Sequence, residues 1–178
     1  GGIYAQLYDA TGARQGVEFR VNTTTTGDQK DPAVAMDTDG DFVVAWEGQD
    51  ANGDGVFAQR FNASGAKQGG EFAVNATTAG DQKHAAVAMD ANGDFVVAWE
   101  GPDSKGKGDD IFAQRFNAGG AKQGGEIAVN TTTAGDQERA AVAVDTDGDF
   151  VVAWEGQDAN GDGVFAQRFN ASGAKQGG

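Results

Sequence analysis

Apolar side chains in this chain come in short runs broken by Gly, Asp, Asn and Thr, and none of the runs carries a helical period. The most regular run is Phe42-Val43-Val44-Ala45-Trp46, set inside Gly40 to Gly48. That stretch recurs unchanged at Gly93 to Gly101 and at Gly148 to Gly156, offsets of 53 and 55 residues. Read as a strand, it puts Phe42, Val44 and Trp46 on one face and Val43 and Ala45 on the other. Both faces are apolar, so the strand belongs between two layers; a solvated sheet would alternate apolar with polar. Trp46, Trp99 and Trp154 are then repeated core anchors, with ligand platforms as the other use of three equivalent indoles.

Three further strands flank this one, which is strand B of a four-strand unit. Strand A is expected at Ala33 to Asp37, Ala86 to Asp90 and Ala141 to Asp145, joined to B by a tight Asp-Gly or Asn-Gly turn. Strand C is expected at Ile3 to Asp9, Val56 to Asn62, and again from Ile111 and Val164. After a Gly-rich turn (Ala63 to Gly70 in the second copy), strand D is expected at Phe19 to Asn22, Phe72 to Asn75 and Ile127 to Asn130. The order C-D, A-B-C-D, A-B-C-D, A-B-C makes thirteen strands. The fold class is all-β: a single repeat domain, residues 1–178, built of four-stranded tandem repeats of about 53 residues that resemble β-propeller blades. The units run approximately 3–55, 56–110 and 111–163, with a surplus strand in 164–178. Propellers close with roughly 4–8 blades. Three units therefore imply a ring completed by several chains, a slice of a longer array, or a closed threefold β fold such as a prism or trefoil. The two-sided B strand counts against a trefoil.

The repeat pairs Ala-Val-Ala-Met-Asp-x-x-Gly-Asp-Phe-Val-Val-Ala-Trp-Glu with Gly-Val-Phe-Ala-Gln-Arg-Phe-Asn-Ala-Ser-Gly and Glu-Phe-x-Val-Asn-x-x-Thr-x-Gly-Asp-Gln. Together these resemble a tandem repeat of large secreted bacterial surface proteins and adhesins, where it accompanies RTX-type or cadherin-like segments. The resemblance covers essentially the whole chain and implies an extracellular, cell-surface protein with no assigned chemistry. The Gly-Gly-x-Gly-x-Asp nonapeptide of calcium-binding RTX segments is missing.

Charge narrows the partners. The 178 residues carry 27 acidic and 13 basic side chains, a formal net charge of −14. Such an excess disfavours nucleic acid and anionic membrane surfaces and favours cations or solubility in salt. Cys is absent, so neither disulfides nor thiol chemistry is available. No apolar run approaches the roughly 20 residues of a transmembrane helix, so membrane insertion is not expected. With neither initiator Met nor signal peptide, the sequence reads as a processed product or an excerpt.

The candidate chemistry lies in acidic loops. Asp50, Asn52 and Asp54, followed by Gly55, place oxygen ligands at alternate positions, as do Asp158, Asn160 and Asp162 before Gly163. This suits Ca2+, although the twelfth position of each loop is Phe rather than a carboxylate, so neither is an EF-hand. The bland alternative is an Asx/Gly turn. In the middle copy Lys105 and Lys107 stand where ligands would be, and a cation is not expected there. The A–B turns, Asp37 to Asp41, Asp90 to Asp94 and Asp145 to Asp149, resemble the structural turn of sialidase Asp-boxes and read as hairpin turns before metal sites. Five Asn-x-Ser/Thr patterns, at Asn22, Asn62, Asn75, Asn130 and Asn170, are candidate glycan acceptors. Catalysis has little support: His84 is the single His, and the paired carboxylates repeat in every unit instead of occurring once. The expectation is a non-enzymatic extracellular structural or adhesive repeat protein whose partner is itself, assembling head-to-tail into a filament or ring through the surplus strand. The alternative is a carbohydrate-binding, lectin-like module whose partners are surface glycans.

Overall fold

Each strand B runs between two others in its own sheet, and the first two also lie between two neighbouring sheets; the rest of the fold follows from that. A computed structural model describes residues 1–103, 108–132, 134–158 and 160–177 of the chain. Among the described residues there are fourteen strands and no helix, and all strand pairs are antiparallel. A two-stranded sheet, β1 (Tyr4–Tyr8) and β2 (Arg14–Arg20), comes first. Three four-stranded meanders follow. The first is β3 (Gln29–Met36), β4 (Phe42–Gln49), β5 (Asp54–Phe61) and β6 (Lys67–Ala73). The second is β7 (Lys83–Met89), β8 (Phe95–Pro102), β9 (Asp109–Phe116) and β10 (Ile127–Ala128). The third is β11 (Gln137–Val144), β12 (Phe150–Asp158), β13 (Gly161–Phe169) and β14 (Lys175–Gln176).

Three hydrophobic clusters join the sheets in chain order. Phe42, Val44, Trp46 and Phe61 pack with Ile3 and Val21 of the two-stranded sheet. Val43, Ala45, Val56 and Ala58, on the other face, pack with Phe95, Val97, Trp99 and Phe116 of the next sheet. Val96, Ala98, Ile111 and Ala113 pack in turn with Phe150, Val152, Trp154 and Phe169. The Trp face of each B strand thus looks back along the chain and the Val-Ala face looks forward. Contacts between neighbouring sheets centre on the A strands, with β3 against β7 and β7 against β11. Among the described residues the four sheets are not hydrogen-bonded to one another, so the strands do not form one closed barrel.

Inside each sheet the aromatic pairs repeat. Phe42 stacks on Phe61 at 4.9 Å, Phe95 on Phe116 at 4.8 Å and Phe150 on Phe169 at 4.7 Å. The three indoles are buried beside Phe57, Phe112 and Phe165. A buried indole N–H needs an acceptor. Trp46 Nε1 donates to Gln29 Oε1 at 2.9 Å and Trp154 Nε1 to Gln137 Oε1 at 3.0 Å, so the Gln of each Gly-Asp-Gln linker is a core residue.

Two expectations about the strands are corrected. Strand A begins several residues earlier than Ala33, because the ladder crosses a bulge between Lys30 and Ala33. Equivalent bulges lie between Lys83 and Ala86 and between Glu138 and Ala141. Each is made by a residue in the left-handed region: Asp31 (φ 50°), His84 (φ 51°) and Arg139 (φ 55°). These residues do not announce that conformation, as Gly would. Strand D also starts earlier in the first two copies, at Arg14 and Lys67, inside the stretch read as a Gly-rich turn, whereas β10 starts at Ile127 as expected. The turn is short, since Asn62 Oδ1 accepts the N–H groups of Ser64 and Ala66, and β6 starts at Lys67. The same geometry after Asn170 lets Lys175 pair with Phe169, giving a fourteenth strand where thirteen were expected.

Trp46→Ala should lower stability by about 3–5 kcal/mol, the cost of emptying a large buried aromatic site. Denaturant unfolding checks this; a loss under about 1 kcal/mol would show that the sheets do not depend on the indole.

Candidate functional site

The acidic A–B turns are built by their own carboxylates. Asp37 Oδ1 accepts the N–H of Asp39 at 2.9 Å and of Asp41 at 3.0 Å, and Asp90 and Asp145 repeat the pattern. The last carboxylate of each turn ties it to the C–D turn of the same sheet: Asp41 to Ala63 N at 2.9 Å, Asp94 to Ala118 N at 2.7 Å and Asp149 to Ala171 N at 2.8 Å. The middle residue, Asp39, Asn92 or Asp147, points into solvent.

Two equivalent clefts open at this end of the sheets. One lies between the first and second four-stranded sheets, with Asp39, Arg60, Gln68 and Asn92 around Phe42 and Phe61. The other, between the second and third, has Asn92, Arg115, Gln123 and Asp147 around Phe95 and Phe116. Asn92 belongs to both. Each guanidinium is held by a carbonyl of the next sheet's C–D turn: Arg60 Nη1 donates to Gly119 O, and Arg115 Nη1 to Ser172 O at 2.7 Å. Fixed donors and acceptors over an apolar floor suit a polar, hydroxyl-rich ligand.

At the opposite end lie the loops read as calcium sites. Asp50 Oδ1 accepts the N–H of Asn52 at 2.7 Å, while its Oδ2 is buried with no hydrogen-bond partner. Asn52 Nδ2 reaches away to Thr78 Oγ1 at 3.1 Å, and Asp54 pairs with Lys30 at 2.9 Å. Lys30 is pushed above its ordinary range, first by Asp54 and then by Glu47. Asp50 thus keeps one buried carboxylate oxygen without a hydrogen-bond partner, while Asp54 is engaged by Lys30. The sequence-identical last loop differs in its surroundings. Glu138 stands in the place of Lys30, so Asp162 lines a small cleft with Asp136, Glu138 and Glu155. Asp158 is placed by its backbone, opposite Gly161, and Asn160 is exposed in the turn between them. Lys105 and Lys107 of the middle loop lie outside the described residues.

A charged network that sequence reasoning missed runs between sheets on the same side. Glu47 and Glu100, at the ends of their B strands, are buried. Glu47 Oε1 accepts the backbone N–H of His84 at 2.6 Å, and Glu100 Oε1 accepts that of Arg139. Each buried carboxylate therefore holds the bulge of the following sheet. The bulge side chain turns to its own sheet's Glu: His84 Nδ1 lies 2.7 Å from Glu100, and Arg139 Nη1 lies 2.9 Å from Glu155. Asp31, Glu47 and His84 bring ligand-type atoms within 4.8 Å of one another. Lys30 already neutralises Glu47 there at 3.3 Å. The one available signal was the conserved phase of a Glu directly after each Trp.

No protein-family model matches the chain, and no curated protein matches it. Solved structures do. A protein of unknown function from Dyadobacter fermentans superposes with a TM-score of 0.59 at 13% identity, over 84% of this chain and 40% of that one. An endo-arabinase from Bacteroides thetaiotaomicron gives 0.55 at 12%, over 89% and 62%. A Hadza microbial sialidase gives 0.58 at 12%, over 83% and 36%. The chain spans less than two thirds of the length of each, and at these identities the likeness is one of all-β fold alone.

The hydrogen bond to Glu100 raises the His84 imidazole above its ordinary 6.5, with smaller help from the charges of Glu100, Glu47 and Asp31. A raised folded value means that the stabilisation is complete below about pH 6.5 and is lost as pH rises through the raised value. The stability gap between the parent chain and His84→Asn, whose Asn tolerates the left-handed backbone, should be widest below about pH 6.5 and close as pH rises through the raised value. Because the ring is 55% exposed, the gap should be about 0.5 kcal/mol or less after screening. Unfolding curves across pH check it; a pH-independent gap would remove the pair's contribution.

Proposed function

We propose that this chain is a carbohydrate-binding repeat module that acts without catalysis, outside the cell. Its four sheets are read as propeller-like blades, since they stack in chain order and meet along their A strands. The observation that carries the binding reading is the pair of equivalent clefts sharing Asn92. Repeated clefts of one chemistry suit a ligand that itself repeats, as the sugars of a polysaccharide do. The structural likeness to an endo-arabinase and a sialidase, named for work on glycans, supports this choice of ligand. Binding without turnover is favoured because the turn carboxylates hold their own loops and recur in every unit, whereas a hydrolase needs a dedicated pair.

A second reading has its own observation. Neighbouring sheets stack through an apolar, two-sided B strand, which favours a structural or adhesive surface repeat that joins itself head-to-tail, in keeping with the resemblance to bacterial adhesin repeats. Calcium is proposed only as an accessory. Of the two loops, Asp158, Asn160 and Asp162 fit it better, because Asp162 lines an acidic cleft with Asp136, Glu138 and Glu155, whereas at Asp50, Asn52 and Asp54 the cation is already supplied by Lys30.

On a glycan array the chain should bind a defined set of polysaccharides, and Gln123→Ala, whose amide lines the cleft without tying the sheets together, should weaken that binding several-fold in a chain that remains folded. Absence of binding to any glycan would end the first reading. If calcium occupies the last loop, excess chelator should lower the melting temperature and Asp162→Ala should abolish that response. Ligand at about 100 times its Kd adds about 2.7 kcal/mol, so an unchanged melt would exclude a tight site.

A further inference from the structure

Three Asn-Gly pairs stand in the hairpin loops: Asn52-Gly53, Asn92-Gly93 and Asn160-Gly161. Asn followed by Gly has a chemistry of its own. The Gly main-chain nitrogen can attack the Asn side-chain carbonyl carbon, because no Cβ on the Gly stands in the way. A C–N bond forms, closing a five-membered succinimide, and the side-chain nitrogen leaves as ammonia. Water then opens the ring at either carbonyl, giving aspartate or isoaspartate. Water enters and ammonia leaves; no oxidant, metal or enzyme takes part. In a folded chain the rate depends on whether the Gly N–H is free and whether the loop can open enough to bring it to the carbonyl.

The first two pairs differ on both counts. Both Asn side chains are exposed, so access does not separate them. The glycine does. In the A–B turn, Gly93 N donates to Asp90 O at 3.2 Å, and Asp90 Oδ1 accepts the N–H groups of Asn92 and Asp94. Gly93 is also buried, and a Cβ there would stand 3.1 Å from Ala118 of the C–D turn. Its nitrogen is committed and the turn is braced on both sides. In the B–C loop the closing bond runs the other way. Asp50 N donates to Gly53 O at 2.9 Å, and Gly53 N has no acceptor among the described residues. One contact holds the Asn52 side chain, Nδ2 to Thr78 Oγ1 at 3.1 Å, and it is exposed. The third pair adjoins Ala159, which lies outside the described residues.

We infer that Asn52 is a site of spontaneous modification, converted through Gly53 to aspartate and isoaspartate, while Asn92 of the same chain stays an amide. The consequence falls on a joint. Thr78 belongs to the linker between the first and second four-stranded sheets. The nitrogen that donates to it is the leaving group, so that tie is lost with the ammonia. A carboxylate replaces it in the loop between Asp50, whose Oδ2 is buried without a partner, and Asp54. The isoaspartate form also adds a methylene to the main chain of that loop. The next residue along, Asp54, is bonded through its N–H to Asp81 Oδ1 of the same linker at 3.1 Å. Charge and length are thus added where the first of these sheets meets the connection to the second. The site lies at the opposite end of the sheets from the clefts and rests on neither reading of function.

A peptide map of the folded chain, aged in mildly alkaline buffer, tests this. Trypsin cutting after Lys30 and Arg60, and after Lys83 and Lys105, gives peptides 31–60 and 84–105, each with a single Asn. Peptide 31–60 should take on the mass of an acid and split into aspartate and isoaspartate forms. It should do so about tenfold or more faster than peptide 84–105, the ratio expected where one loop opens more readily than the other. In urea-unfolded chain the two pairs should react at similar rates, since only the shared Asn-Gly sequence then acts. The inference is overturned if Asn92 keeps pace with Asn52 in the folded chain. It is equally overturned if Asn52 persists in the folded chain while reacting in the unfolded one. Asn52→Gln should abolish the acid form of peptide 31–60; its persistence would assign the reaction to another residue.

Discussion

The structure depends on a strand that is apolar on both faces. A sheet built around Phe42-Val43-Val44-Ala45-Trp46 cannot be half-solvated, so no unit of this chain has a complete core of its own. Its Trp face needs the sheet before it and its Val-Ala face the sheet after it. Stability in such an array is a sum over neighbours, and the end units carry whatever is left uncovered. The first indole shows how little cover suffices: Ile3 and Val21 at the ends of a two-stranded sheet, with Ala5, Leu7 and Phe19 from its strands, are the neighbouring sheet's share of a cluster in which Trp46 is fully buried. The same half-sheet stops short of Val34 and Met36, which is why those two are solvated.

Apolar stacking alone would let neighbouring sheets slide. Register between them is set by polar bonds that recur at each joint. Glu71 and Glu126 accept N–H groups just past the fourth strand of the previous sheet, at Thr23 and Ala76. Asp81 and Asp136 accept from Asp54 and Asp109 in the third strand. Glu47 and Glu100 hold the bulges of the next first strand. Buried carboxylates are costly unless their oxygens are satisfied, and here the donors are main-chain N–H groups that a left-handed residue turns toward them. The bulge and the buried Glu therefore require each other. An extended backbone at His84 or Arg139 would take away the N–H that the carboxylate needs.

Strand B was legible because period-2 reading of Phe42 to Trp46 gives two apolar faces whatever the tertiary context, and its threefold recurrence fixed the repeat. Strand A was half legible. Ala33 to Met36 reads as a strand, but Gln29 to Asp31 does not, because the pairing is resumed across a bulge made by Asp, His or Arg instead of Gly. The fourth strand was misplaced because Gly69, at φ 73°, was read as part of a turn when it sits within the paired segment Lys67–Ala73. The role of Gln29 and Gln137 was illegible for another reason. A Gln beside Gly and Asp reads as loop, and only the tertiary fold carries it to a buried indole N–H. The acidic A–B turns were legible as turns, since an Asp carboxylate that accepts the N–H groups two and four residues on satisfies its own loop. The clefts were not, because Arg60 and Asn92 meet only across two sheets.

The positions at which the repeats disagree then become informative, since the shared ones are consumed by stacking. Lys30, Lys83 and Glu138 occupy one site, facing Asp54, Asp109 and Asp162; the first two neutralise their partner and the third adds to its charge. Asp31, His84 and Arg139 occupy the next, running from acid to base along the array. Both series alter the inter-sheet surface without touching the core, because each side chain sits at the rim of a joint whose backbone bonds are already made. A repeat protein that needs identical stacking in every unit has its freedom to differ at such rims, and there each joint acquires its own charge. The array is thus uniform in what holds it together and varied in what it presents, since the acid that faces a lysine at Asp54 and Asp109 faces Glu138 at Asp162.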